Sequence, residues 1–376
     1  MIFVPVDFLK EGMILAQDVN FEIGGMSLLT KGQVLKANYI EKLQAMNIVG
    51  VYVESKMSAD IEINQILSEK IKKDVLVSVK NIFNDFSRSN KLTVGAVGTI
   101  KNIAEKLVSD ILSKEKILIN LIELKGHDDY TYQHSLSVAV LAVAIGVKLG
   151  LNEENLNNLA LSGLLHDIGK VSVPKEILNK PSKLTAEEFE VVKKHPEDGF
   201  LKLKKSNMCS VVTLMGIESH HEKVNGKGYP KKLKGNQIPF FGRILAVADV
   251  YDALTSDRPY RKGSFPGEVI EYMMGNTEVH FDQEILTAFL KSVAAYPAGM
   301  LVSLSDGRIA LVIRNNEENT MRPVVRVFNE DGSQHSDIDL FHDKRYHNLT
   351  ITGMGYGKEI TNSSMMNNVC EINDFT

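Results

Sequence analysis

Seven side chains carry most of the chemistry this sequence offers: His134, His166, Asp167, His195, His220, His221 and Asp249. A lone histidine on a helix is usually a partly buried side chain with no further role. Local context argues against that reading here. In Leu164-Leu165-His166-Asp167-Ile168-Gly169-Lys170 an apolar run delivers an adjacent His and Asp into a buried position. Buried charge is costly unless it is paired or holds a metal. Neighbouring helical residues point about 100° apart, so the two side chains can serve two sides of one cluster. Asp167 has two oxygens and can bridge two metals. Gly169 lets the chain turn close to the site, and Lys170 places a cation beside it.

A second context is Ile217-Glu218-Ser219-His220-His221-Glu222, followed by Asn225-Gly226-Lys227-Gly228-Tyr229-Pro230. The glycines and the fixed proline make a tight loop that stiffens what precedes it. A third is Ile244-Leu245-Ala246-Val247-Ala248-Asp249, an apolar helical run ending in an aspartate. Asp252 follows three residues later on the same face and is placed to hydrogen-bond a metal ligand from behind. His195, before Pro196, reads as the end of a charged helix. Imidazole and carboxylate ligands without thiolate suit iron, manganese or zinc. Seven ligands are too many for one tetrahedral site. Two metals about 3.5–4 Å apart would use them all, lowering the pKa of a shared water and neutralising an attacked phosphate. After the Asp249 helix comes Asp257-Arg258-Pro259-Tyr260-Arg261. The planar forks of Arg258 and Arg261 suit phosphate, and Lys170 suits charge that develops during reaction.

The elements that position these groups are mostly helical. The chain has 376 residues, 44% of them apolar and 24% charged, ordinary proportions for a globular protein. A net charge of −4 gives no overall reason to expect a nucleic-acid polymer as partner. Cys209 and Cys370 stand alone, which excludes a disulfide framework and points to a reducing cytoplasm. The start shows no signal-peptide pattern. The longest apolar run, the 12 residues from Leu136 to Val147, falls short of the about 20 that span a bilayer. It reads as a core helix, with no membrane insertion.

Five segments follow. Residues 1–55 read as a small mixed α/β domain. Val4, Val6 and Phe8 alternate as in a strand, Gly24-Gly25 marks a hairpin turn, Asn38–Met46 has helical spacing, and Val49–Val53 is a strand. Residues 56–125 read as two amphipathic helices, one running from Ile63 to Phe86 and one from Ile100 to Ile117, broken near Ser87–Thr93. They serve as linker and as a surface for the chain's own domain or for a homodimer. Residues 126–295 hold the site. Residues 296–355 form a short β-rich segment, with Met300–Leu304, a hairpin at Asp306-Gly307, Ile309–Ile313 and Val324–Val327. Residues 356–376 read as a disordered tail.

The order His134, His166-Asp167, Asp249 resembles the HD superfamily of metal-dependent phosphohydrolases. With His195, His220-His221 and Gly228-Tyr229-Pro230 it looks like the HD-GYP branch. The resemblance covers about residues 126–295, and the flanking segments resemble regions found beside such domains. It implies a mainly α protein built on a helical HD-type bundle. It implies two divalent metals, iron or manganese, and hydrolysis of cyclic di-GMP to pGpG or onward to GMP. By that likeness His134, His166, Asp167 and Asp249 hold one metal, and Asp167, His195, His220 and His221 the other. Lys170, Arg258 and Arg261 match positions that contact substrate phosphate, and Asp252 a supporting position. Some members carry a glutamate four residues before the first histidine, supporting a third metal. Here Tyr130 stands there, so two metals are expected. Other readings remain open: a cyclic GMP-AMP phosphodiesterase, an HD-type nucleotidase, or a cyclic dinucleotide receptor whose Gly226–Pro230 loop docks a signalling protein.

Overall fold

The computed structural model describes residues 1–20, 27–46, 48–61, 65–89, 94–120, 124, 130–206, 209–256, 263–328 and 334–356. Gly24-Gly25, Asp257–Arg261 and residues 357–376 lie outside these residues, as do the side chains of Asp128, Asp129 and Tyr130; Tyr356, expected to open a disordered tail, is instead buried in a core. The protein is mainly helical, and the chain divides into two compact units, residues 65–125 with 129–293, and residues 1–64 with 126–128 and 294–376.

The larger unit is built around the helix Tyr130–Lys148, which packs against Glu153–Leu165, Phe240–Thr255 and Gln283–Leu290. Leu136 to Ile145 is buried on every side, as expected for a helix apolar all round. The two long amphipathic helices are Glu69–Ser89 and Val94–Leu112. Ile66 and Leu67 are buried but precede the first of them, because Ser68 opens it, its hydroxyl accepting from Ile71 N–H at 3.4 Å. The second ends at Leu112, before Ile117. Their stripes, including Val75, Val79, Phe86, Ile100, Leu107 and Ile111, are buried within the single chain. They pack on each other and on the helices beside them, so they give no reason for a second copy. No described helix is long and apolar enough to cross a membrane.

The smaller unit joins both chain ends. Ile2–Pro5 pairs antiparallel with Gly50–Val53, and Ala37–Ala45 is a helix. The alternation that would extend the first strand to Phe8 stops at Pro5, and Val6–Phe8 forms a 3-10 turn. Proline supplies no ladder hydrogen bond and marks a strand boundary. Among the described residues, five strands form an antiparallel sheet in the order Gln334–Asp339, Val324–Phe328, Ile309–Arg314, Leu301–Leu304, Ile351–Met354. The first and last had no clear sequence signal. Ile2, Val4, Leu15, Val53, Leu301, Leu311 and Phe328 share one core, so the segments read separately from the sequence bury their apolar faces against each other.

Arg326 clamps that unit. The residue is 6% exposed, and its guanidinium donates to both oxygens of Asp60, both of Asp337 and the Met57 carbonyl, all at 2.8–3.0 Å. The Arg326 hydrogen bond holds the Asp60 carboxyl down at about 2, against an ordinary value near 3.9. A depressed carboxyl contributes stability fully above its unfolded pKa and loses it as pH falls through the folded one. Asp60 and Asp337 are largely exposed, so water screens both pairs, and Arg326→Met should cost about 1 kcal/mol at neutral pH. The gap to wild type should narrow between about pH 4 and pH 2. Urea unfolding across that range measures both.

Candidate metal centre

The site forms where helices end. His166 is the residue that closes the helix Glu153–Leu165, and His220 closes Val211–Ser219. Asp167 lies just past the helix, at φ −96 and ψ 6, a sparsely populated region common among active-site residues. His195 starts the helix His195–Ser206, rather than ending the one before it. Proline excludes the helical conformation for its predecessor but suits the first turn of a helix, so Pro196 makes the boundary fall here.

In three of these histidines, Nδ1 faces the carbonyl three residues back. His166 meets Gly163 at 2.8 Å, His195 meets Val192 at 2.7 Å and His220 meets Ile217 at 2.6 Å. A carbonyl accepts, so each Nδ1 carries the proton and donates. The last carbonyls of a helix lack partners in the helix itself, and the imidazoles supply them. His134 Nδ1 donates instead to the Asp252 carboxylate at 2.7 Å. All four Nε2 atoms are then lone-pair acceptors when the rings are neutral.

Those lone pairs converge. His134 Nε2 and His166 Nε2 are 3.2 Å apart, and His195 Nε2 and His220 Nε2 are 3.3 Å apart. Asp167 lies between the pairs. Its Oδ2 is 3.7 Å from His134 Nε2 and 3.4 Å from His166 Nε2. Its Oδ1 is 3.2 Å from His195 Nε2 and 3.9 Å from His220 Nε2. Lys170 Nζ donates to Oδ2 at 2.5 Å, whereas Oδ1 is buried and accepts no well-aligned hydrogen bond. Among the described residues two groups have ligand atoms mutually within 4.8 Å: His134, His166 and Asp167, and Asp167, His195, His220 and His221. Asp167 belongs to both. Asp249 joins from the side, Oδ1 at 3.1 Å from His134 Nε2 and Oδ2 at 3.6 Å from His221 Nδ1.

An orphaned buried carboxylate oxygen and facing lone pairs are unfavourable without a cation. The donor set fits divalent metal, and the converging helix C-termini add negative potential that favours one. Burial and these contacts set the charges of the cluster. Burial would raise Asp167, but the neighbouring His166 and Lys170 charges hold its carboxyl well below the usual range. Burial opposes a charge on His134, yet hydrogen bonds to Asp249 and Asp252 raise it to about 9. Burial pushes His220 down, and the other imidazoles push it further. Burial likewise depresses His221 to about 3.

Close packing holds these parts in place. A Cβ at Gly169 would collide with the His195 carbonyl, so only glycine lets the turn after Asp167 lie on the start of the His195 helix. A Cβ at Gly228 would collide with the backbone of Glu222 and Lys223. Neither Glu222 nor Tyr229 has a separate role that spacing or residue type reveals. Glu222 is buried, and its carboxylate accepts from Lys231 N–H at 2.7 Å and Leu233 N–H at 3.0 Å. It ties the loop down across Gly228, and the Tyr229 ring lies against His221, centroids 4.7 Å apart. The available signal was that Glu222 directly follows the two histidines and that Tyr229 closes the glycine loop after them. Arg258 and Arg261 lie outside the described residues.

Residues 107–285 match the family model for the HD domain. Over that stretch this chain is similar to the HD domain. Residues 301–347 match a KOW domain associated with the HD domain. The chain is 40% identical over 227 residues to a cyclic di-GMP phosphodiesterase of Pseudomonas aeruginosa, covering 60% of this chain and 55% of that protein. It is 36% identical over 190 residues to 3'3'-cGAMP-specific phosphodiesterase 1 of Vibrio cholerae, 50% of this chain and 43% of that one. It is 35% identical over 198 residues to a cyclic di-GMP phosphodiesterase of Thermotoga maritima, 50% and 53% respectively. The alignments thus span about half the length of these relatives. Among solved structures, Bd1817, a HDG"Y"P protein from Bdellovibrio bacteriovorus, shares the fold at a TM-score of 0.50 and 18% identity, over 77% of this chain and 97% of that one.

Asp252 orients His134 without reaching the cluster. Loss of such a supporting carboxylate typically weakens metal binding about 10–100-fold. Asp252→Ala should show that loss in a chelator competition titration read by metal content.

Proposed function

We propose that this chain is a two-metal phosphodiesterase that hydrolyses cyclic di-GMP to linear pGpG, with onward hydrolysis to GMP as a possible second step. The observation that carries the reading is Asp167, whose two oxygens face two separate pairs of imidazoles. The relatives' names give the substrate class. His134, His166, Asp167 and Asp249 would hold one metal, and Asp167, His195, His220 and His221 the other. Iron or manganese fits this ligand set. Such a pair supplies an activated water and neutralises the attacked phosphate.

The chain's own groups do the rest. Asp252 and the carbonyls of Gly163, Val192 and Ile217 fix the imidazole tautomers, so in each ring, once neutral, the lone pair faces the site. Lys170 keeps its ammonium on the Asp167 carboxylate and is itself partly exposed, so it can meet a phosphate oxygen. Arg258 and Arg261 are assigned to phosphate binding by motif. The leaving atom is a ribose 3′-oxygen.

A second substrate has a specific observation in its favour, since two matching Vibrio cholerae proteins are named for 3'3'-cGAMP. A receptor without turnover fits less well, because every expected ligand is present. Protein purified without oxygen and loaded with Fe(II) or Mn(II) should convert cyclic di-GMP to pGpG on chromatography. Asp167→Ala should abolish that conversion, because both metals lose a ligand. Full activity in Asp167→Ala would rule out the two-metal arrangement. Product from cyclic GMP-AMP but not from cyclic di-GMP would move the assignment to the second substrate.

A further inference from the structure

We propose that Phe189, with Tyr229 and Lys193, forms a shelf on which one purine base of the dinucleotide stacks. The inference rests on the phosphodiesterase reading and names residues to which that reading gives no role.

Phe189 is 43% exposed. Single exposed apolar residues are ordinary, so exposure alone decides nothing, and Val211 is more exposed still. Phe189 differs in what it adjoins. Its ring meets Tyr229 edge to face, centroids 6.4 Å apart at 83°. Tyr229 in turn lies along His221, 4.7 Å away at 36°. His221 is a member of one metal-ligating group. A continuous run of aromatic surface therefore leads outward from the metal centre. A substrate with its phosphate at the centre and a base attached through a ribose extends over a comparable reach.

The shelf is held rigidly. The helix Ala186–Val192 is short, but its start is fixed by a capping box between Thr185 and Glu188. Glu188 also accepts from Lys180 Nζ at 2.7 and 2.8 Å. Both constraints act on the residue next to Phe189.

Lys193 completes the arrangement. Its ammonium lies 4.8 Å from the Phe189 centroid and 5.9 Å from that of Tyr229, within cation–π range. It also pairs with Glu190 at 2.5 Å. A cation beside an aromatic face suits a flat base carrying carbonyl acceptors and a nearby phosphate. Aromatic platforms bind bases through their π-faces, and such stacking accounts for much of single-strand recognition. Guanine and adenine would both stack. The shelf therefore selects purine nucleotides over base-free diesters without distinguishing the two purines.

The test compares Phe189→Leu, Phe189→Tyr and wild type, all metal-loaded, on cyclic di-GMP and on bis(p-nitrophenyl) phosphate, a diester without a purine. Phe189→Leu should raise KM for cyclic di-GMP about tenfold with kcat little changed, within the range for removing one base-stacking aromatic. Phe189→Tyr should restore it, and turnover of the base-free diester should match wild type in both variants. Calorimetric binding of pGpG should weaken in parallel in Phe189→Leu. An unchanged KM and pGpG affinity in Phe189→Leu would overturn the shelf while leaving the phosphodiesterase standing, as would an equal loss on both substrates. Wild type that cleaves the base-free diester but neither cleaves nor binds any purine dinucleotide would overturn the substrate reading, and the shelf with it.

Discussion

The rest of the catalytic unit depends on one unfavourable contact: imidazole nitrogens held with their lone pairs face to face. His134 meets His166, and His195 meets His220, at little more than 3 Å. Each ring is prevented from turning away because its other nitrogen is committed, to a helix-end carbonyl or to Asp252. The chain therefore spends packing and hydrogen bonding on a geometry that is poor in itself and good around a cation. Preorganisation of this kind places the cost in folding, so that binding need not reorganise the site.

That geometry needs close contact between elements far apart in sequence. The turn after Asp167 rests on the backbone of the His195 helix, which only Gly169 permits. The loop after His221 folds back over Glu222 at Gly228, and the Glu222 carboxylate fastens its far side. Both devices act on the polypeptide backbone. Each fixes a direction of approach for a histidine that the side chain alone could not fix.

Much of this was legible beforehand, for identifiable reasons. An apolar run ending in His166-Asp167, or in Asp249, announces a buried polar group that needs a partner, and the structure puts those groups together. Asp252 could be placed because helical spacing fixes its face. His195 was placed on the wrong side of a helix boundary, although the following proline encodes the break. Glu222 and Tyr229 went unassigned because their roles rest on tertiary contact across a loop, which periodicity does not carry. In the smaller unit, Ile309–Arg314 and Val324–Phe328 were visible as apolar strands. Gln334–Asp339, polar at every position but Ile338, gave no comparable signal. Pairing with Val324–Phe328 makes it a strand, and that is a property of the sheet.

The shared core of residues 1–64 and 294–376 has a consequence for how the chain is made. The Tyr356 hydroxyl bonds the Phe3 carbonyl across 353 positions of sequence, and Ile2 packs in the same core as Leu301 and Leu311. In linear terms the larger unit is an insertion within the smaller one. During synthesis the first segment must wait with its apolar face uncovered until the last strands emerge, while the insertion can complete its own local helix pairings. Contacts at such separation form slowly because loop closure precedes any reward from packing. Among the described residues, this makes the smaller unit the high-contact-order part of the protein.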